Sequence, residues 1–336
     1  AERGISLGDP VSLPKQSWAV NQPPRSSLMF LAQGQIVSLE ELFLGMAIPS
    51  GNDAAIAVAL NFSPTTAAFA KLMNREAAAL GMKNTIFVEP SGISEENITT
   101  ARDFTLFCRA YLRLHPENLK KYHSVPSFSY PKPSNLRASM QKRSNTIVQN
   151  NHINLLYTFD GVDGLKTGYI DESGYNIALT AERDGTRFIA VILGVPAELG
   201  SRWGVRARDA DGEALLMWGF NNFKTVRPAI PAIPPVRVWK GRINRMPLAL
   251  AVEDPAITIP AGRGNGLRSE IYSSDIVAPL PSGTQAGIIT FYDDHGELAK
   301  MELLTTGEAE AGNFFKRLWD SIIMFFLGPS SLVRQK

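Results

Sequence analysis

The sequence predicts an α+β domain, followed by a small all-β domain and a short amphipathic helix. Three observations lead there. Helical patterns fill the first part of the chain before two strands meet in a hairpin. A proline-rich joint, VRPAIPAIPPVRV, then precedes a series of short alternating runs. Last, NFFKRLWDSIIMFFLG sets aromatic residues on one side of a helix. The implied boundaries are 1–224, 225–310 and 311–336, and 336 residues are comfortable for two domains.

The elements follow in order. Residues 1–35 are turn-rich, and Pro23-Pro24 breaks any helix there. Ser38 with Glu41 three residues on forms a capping box for a helix whose inner face is Leu39, Leu42, Phe43 and Met46. Pro49 helps to stop it. NDAAIAVAL, Asn52 to Leu60, is small and apolar throughout, which suits a buried helix. A helix from about Thr65 to Leu80 ends on Gly81, and another is capped by Thr100. Residues 124–152 read as strand-poor. YNIALTAERDG and TRFIAVILGV are strands joined by a turn at Asp184-Gly185. ARDADGEALLMWGFNNF reads as a helix packed by Leu215, Leu216, Trp218 and Phe220. Beyond the joint, RMPLALAVE, AITIPAG, LRSEIYSS, DIVAPLP, QAGIITFYDDHG and LAKMELLTTG read as strands. The last helix is too short to span a bilayer. Its aromatics with Lys316 and Arg317 suit either a membrane interface or docking on a protein surface.

Composition excludes several classes. Net charge is +2 with no dense Lys/Arg cluster, which argues against a dedicated nucleic-acid binder. The single cysteine, Cys108, sits among apolar neighbours and reads as a core thiol. His115, His123, His152 and His295 have no metal-ligand spacing, so neither a metal nor another cofactor is expected. No run of eighteen apolar residues occurs, and the chain opens on a polar, loop-like stretch without a leader pattern.

Two motifs carry chemistry. In VDGLKTGYIDESGYN, Lys166, Thr167 and Gly168 offer an ammonium, a hydroxyl and a bare backbone at the start of a strand. A cation and a hydroxyl suit a carboxylate. A glycine on an exposed strand lets an extended peptide approach closely. Taken alone the triplet is also a common turn. Ser50-Gly51-Asn52 lies at a helix start, where Ser50 can cap the helix or relay a proton, and Asn52 can orient neighbours through its amide.

The SxN box followed 116 residues later by a KTG box resembles the serine penicillin-recognising enzymes. FAKLMNREAAALGMKNTIFVEPSG, TARDFTLFCRAYL, GVDGLKTGYIDESGYNIALTAERDGTRFIAVILG and LLMWGFNNF narrow this to the low-molecular-weight D-alanyl-D-alanine carboxypeptidases, over about residues 10–224. The later β domain and terminal helix resemble that family's second domain and membrane anchor. The resemblance implies a β-lactamase/transpeptidase-like fold and removal of the terminal D-alanine from peptidoglycan stem peptides through an acyl-serine. It also implies acylation by β-lactams and a periplasmic position on the inner membrane surface. Ser50 and Asn52 take the SxN roles, Lys166, Thr167 and Gly168 the KTG roles, and Arg208 matches an arginine that helps hold the terminal carboxylate. Tyr169 stands where some relatives carry histidine, and Gly51 replaces the Asp of the SDN form.

The family also uses an SxxK box, with serine as nucleophile and lysine as base. Ser12-Leu13-Pro14-Lys15 matches formally, but its flanks read as a loop, and Ser50 follows Ser12 by only 38 residues. The functional box is therefore expected ahead of residue 1. The alternatives are a catalytically inactive wall-peptide binder or scaffold, a relocated Ser12/Lys15 pair, and a β-lactamase-like hydrolase.

Overall fold

A computed structural model of the chain describes residues 6–141, 145–327 and 333–335. Two compact units form, Ala1–Gly219 and Phe220–Lys336.

In the first unit Pro10–Val11 (β1) pairs antiparallel with Val37–Ser38 (β2), just ahead of Leu39–Ala47 (α1). Ser38 accepts from the Glu41 amide while the Glu41 carboxylate accepts from the Ser38 amide, the reciprocal cap that the sequence predicts. Asn52–Phe62 (α2), Thr66–Ala79 (α3) and Ala101–Leu114 (α4) follow. The Thr65 and Thr100 hydroxyls cap α3 and α4. Past α3, Gly81 at φ 77° donates to Ala78 O and Met82 N donates to Ala77 O, a Schellman ending that glycine permits. One core gathers Met29, Leu31, Leu42, Ile48, Ala54, Ala57 and Tyr130. Cys108 is buried in another with Leu119, Leu165 and Ala178, and burial pushes its thiol up to about 12.

A single wide turn, Leu119–His123, leads to Ser127–Tyr130 (β3), which pairs antiparallel with Ile147–Asn150 (β4). The one-turn helices Ala138–Gln141 (α5) and Leu155–Thr158 (α6) lie in the same region. This corrects the strand-poor reading of 124–152. In β3 only Phe128 and Tyr130 turn inward, and β4 is largely exposed, so the period-two signal is faint.

Val162–Ile170 (β5), Gly174–Arg183 (β6) and Thr186–Val195 (β7) form an antiparallel sheet in that order. Asp184 and Gly185 both take positive φ, 49° and 71°, as a two-residue primed turn requires. β5 is an edge strand, with Lys166 opposite Ala178 and Thr167 opposite Ile177.

The long helix Gly200–Asn222 (α7) begins earlier than predicted and buries Gly204, Arg208, Gly212, Leu216 and Gly219. Leu216 is in the core as expected, but Leu215 and Trp218 are exposed. Glycine spacing, not bulk, sets the inner face. A Cβ on Gly204 would run into the Tyr175 ring, and one on Gly212 would meet Leu179 Cδ1 at 2.5 Å. The same spacing turns Arg208 inward.

The second unit holds Phe223–Val226 (β8), Val236–Trp239 (β9), Arg245–Met246 (β10), Leu248–Leu250 (β11), Ile257–Pro260 (β12) and Arg268–Ser273 (β13). It continues with Ile276–Val277 (β14), Gln285–Asp293 (β15), Gly296–Thr305 (β16) and Val333–Gln335 (β17). The sheets run β11-β16-β15-β13-β17, β10-β9-β14 and β12-β8. The strands predicted after the proline-rich joint are all present, over a core that includes Ile289, Phe291 and Leu303. The unit begins before the joint, at Phe220, because β8 pairs with β12.

Phe314–Leu327 (α8) sits on this unit through Asp320, with Lys316, Ile323 and Met324 half-buried around it. Asp320 is 2 % exposed and accepts from the Lys240 amide at 2.6 Å and from Lys316 Nζ at 3.0 Å. Phe315, Trp319, Phe325 and Phe326 all point outward. Among the described residues no single helix is long and apolar enough to cross a membrane.

Glycine inside a helix normally costs stability relative to alanine, by about 1 kcal/mol. At Gly204 the sign reverses, because the added methyl overpacks Tyr175. Gly204→Ala is expected to lose about 1–3 kcal/mol, read as a fall in thermal midpoint.

Candidate active site

A groove of about 1780 Å³ runs along the outer edge of β5. Its walls include Ser27, Ser50 and Asn52, the segment from Gln149 to Asn154, and Arg208 of α7. Lys166, Thr167, Gly168 and Tyr169 form its floor from the strand. An edge strand with a glycine and an open flank can add an extended peptide through main-chain hydrogen bonds.

Ser50 does not cap α2. The N-cap is Gly51, with no side-chain cap bond, and Ser50 takes φ 59°. That left-handed backbone is strained for a residue with a Cβ, by roughly 1–2 kcal/mol. It turns the hydroxyl toward β5, where Lys166 Nζ donates to Ser50 Oγ at 2.7 Å. Lys166 also donates to Thr167 O at 2.7 Å.

Neighbouring backbone holds Ser50 there. Gly51 N donates to Gly45 O and Asn52 N to Ser27 O, at 2.8 and 2.9 Å. A Cβ on Gly51 would come within 2.8 Å of both Met29 N and Asp53 Oδ1, which accounts for glycine in the middle of this SxN box. Asp53 is fully buried at the first turn of α2, and its carboxylate accepts from Met29 N, Leu31 N and Ala54 N. Burial pushes this carboxyl above its ordinary range, while the donors from Leu31, Met29 and Ala54 pull it back.

The KTG strand is pinned from behind. His123 Nδ1–H donates to Leu165 O at 2.9 Å, one residue before Lys166. With that tautomer, Nε2 accepts from Tyr111 Oη at 2.8 Å. Burial lowers the basicity of His123, so the neutral ring is favoured. Burial also draws the Lys166 ammonium down to about 8, with the charge of Arg208 adding to the effect.

Arg208 is 4 % exposed, and its Nε and Nη2 both donate to Asp209 Oδ1, at 2.9 and 2.7 Å. Nη1 has no protein partner among the described residues. The Thr167 hydroxyl and the Asn52 amide likewise line the groove without a side-chain partner there. Three donor-bearing groups with spare capacity around one ammonium make an anion-binding, proton-handling site.

Ser50, Asn52, Lys166, Thr167, Gly168 and Arg208 thus line one groove. Ser12 and Lys15 do not. Ser12 is tied to Asn61 through its backbone, and a three-residue turn, Lys15–Ser17, begins only at the lysine. With Pro14 between, the two share no helical face and neither lines the groove. Sequence reasoning missed Asp53, His123 and His152. The partners of Asp53 and His123 lie far along the chain, and His152 sits in an irregular segment that carries no periodicity. Among the described residues no cluster suited to a metal ion occurs.

A family model described as D-alanyl-D-alanine carboxypeptidase matches residues 1–197. The D-alanyl-D-alanine carboxypeptidase DacC of Escherichia coli (strain K12) is 34 % identical over 330 residues, covering 96 % of this chain and 77 % of that protein. DacA of Haemophilus influenzae is 31 % identical over 326 residues, covering 95 % and 77 %. Among solved structures, penicillin binding protein 5 from Haemophilus influenzae superposes with a TM-score of 0.74 at 30 % identity, covering 92 % of this chain and 85 % of that one. Penicillin binding protein 6B from Escherichia coli gives 0.66 at 27 % identity, covering 90 % and 81 %.

Lys166 sets a pH limit on anion binding. It carries its charge below about 8 and loses it above. The Lys166 contribution to the affinity of a carboxylate-terminated ligand is expected to be lost above about pH 8, weakening binding on the order of tenfold between pH 7.5 and pH 9.5. Lys166→Met is expected to bind more weakly throughout and to lack this alkaline limb in an equilibrium titration.

Proposed function

The chain belongs to the D-alanyl-D-alanine carboxypeptidase family, and we propose that its groove holds the D-alanyl-D-alanine end of a peptidoglycan stem peptide for serine-type removal of the last residue. The observation that carries this reading is the 2.7 Å bond from Lys166 Nζ to Ser50 Oγ across an open groove at a strand edge. A peptide laid along β5 meets Gly168 with its backbone, while its terminal carboxylate meets the Thr167 hydroxyl and the free edge of Arg208. In the acyl transfer a serine oxygen bonds to the scissile carbonyl carbon and the peptide C–N bond breaks. The departing D-alanine amine takes a proton, and Ser50, bonded to Lys166, is the hydroxyl placed to deliver it. Water then cleaves the ester and restores the serine.

The acylated serine in this reading is neither Ser50 nor Ser12. We propose that it is supplied, with its lysine base, by an SxxK box outside residues 1–336, as the family's use of such a box implies. That no SxxK pair lies among the described groove residues favours a second reading for residues 1–336 taken alone: peptide binding without turnover.

Fluorescent penicillin separates the two. The protein carrying its preceding residues is expected to be labelled covalently and to release D-alanine from an acyl-D-alanyl-D-alanine peptide. Residues 1–336 are expected to bind the peptide and to remain unlabelled. If the longer protein stays unlabelled at saturating drug, the enzyme reading fails and the binding reading stands.

We further propose that α8 lies in the membrane surface on the periplasmic side. Its outward face carries Phe314, Phe315, Leu318, Trp319, Phe325 and Phe326, with Arg317 beside them. The protein is expected to sediment with vesicles of mixed zwitterionic and anionic phospholipid. Replacing Trp319 and Phe326 together by Glu is expected to weaken this by about an order of magnitude or more. Unchanged sedimentation would remove the anchor.

A further inference from the structure

The groove holds a basic group that the reading above does not use. Asn151 is buried, and its amide donates to His123 O at 2.9 Å and Val125 O at 3.1 Å. Its carbonyl oxygen accepts from Ile153 N at 3.0 Å. Ile153 is buried, and Asn154 donates to Asp209 Oδ2 at 2.8 Å. The segment is therefore fastened on both sides of position 152. His152, held at its crest, lines the groove with an open imidazole and has no hydrogen-bond partner among the described residues.

Its surroundings are cationic. Lys166 of β5 and Arg208 of α7 line the same groove, the Asp171 and Glu172 carboxylates stand past the end of β5, and the carboxylate of Asp209 is already taken by Arg208 and Asn154. Partial desolvation against the groove wall, then the charges of Lys166 and Arg208, lower the basicity of the ring. A third permanent cation here would be repelled in the empty groove. A neutral imidazole is not, and it can still offer an N–H or take up a proton when an anion arrives.

We infer that His152 is a substrate-binding residue that contacts the terminal carboxylate together with Thr167 and Arg208, favouring peptides that end in a free acid. The inference rests on the peptide-binding reading above. It adds a specificity element on the wall opposite the KTG strand. Binding of the acid brings a proton onto the ring, so recognition of the carboxylate and charging of His152 occur together.

The chain has four histidines, so the ring signals can be followed by NMR and that of His152 assigned with His152→Gln. The probes are an acyl-D-alanyl-D-alanine peptide and its C-terminal amide, and affinities are measured by calorimetry near pH 7. The acid is expected to raise the titration midpoint of His152, and the amide to leave it in place. His152→Ala is expected to weaken acid binding about fivefold to tenfold, leave the amide unchanged, and keep the wild-type thermal midpoint. His152→Lys is expected to recover most of the loss. Acid binding with an unmoved His152 signal and an unchanged affinity in His152→Ala would overturn the inference and leave the peptide-binding reading intact. Failure of the wild-type protein to bind the acid at millimolar concentration would overturn both.

Discussion

The bond between Lys166 and Ser50 joins residues 116 positions apart, and the geometry of the groove depends on it. Neither residue is placed by its own preference. Ser50 sits in a backbone region that a residue with a Cβ ordinarily avoids, and Lys166 keeps an ammonium where burial draws it down to about 8. Both departures persist because the surroundings over-determine them. Gly51, Asn52 and Asp53 lock the serine side into backbone hydrogen bonds, and His123 holds the carbonyl one residue before the lysine.

The second constraint is the closeness of α7 to the sheet. Glycines at 204, 212 and 219 remove the side chains that would hold the helix off β6 and β7. Arg208 shares their face and is carried inward with them, although a buried guanidinium is costly. Asp209 offsets part of that cost with two hydrogen bonds and leaves one edge of the fork unspent. The fold thus stabilises a charge it does not fully satisfy, a condition that favours an incoming carboxylate.

Much of this was legible in the sequence, and the exceptions have physical reasons. Capping serine and threonine, the Asp184-Gly185 turn and the alternating runs of the β unit report local preferences, which act within a few residues. The SxN and KTG boxes were visible as motifs, but neither showed that Ser50 forgoes the cap for the lysine. The inner face of α7 was misread because bulk was taken as the sign of burial, whereas Leu215 and Trp218 are exposed and glycine faces the sheet. The β3–β4 pair escaped notice because one partner is mostly solvated. His123 and Asp53 act on the backbone of segments 42 and 22–24 residues away, and such reach leaves no local pattern.

The terminal helix reverses the usual logic of amphipathic packing. A helix with one apolar face ordinarily buries that face against its own domain. In α8 the side that docks centres on a carboxylate: Asp320 is buried, with Ile323 and Met324 half-buried one turn on, and binds the Lys240 amide and the Lys316 ammonium. Burial works against that charge, yet the two donors hold the Asp320 carboxyl below its ordinary range. A buried carboxylate fixes orientation, because rotating the helix would strand it without partners. The aromatic face is thereby kept outward, in an arrangement that water alone disfavours. The membrane-surface position proposed above would cover this aromatic face, with Arg317 exposed beside it.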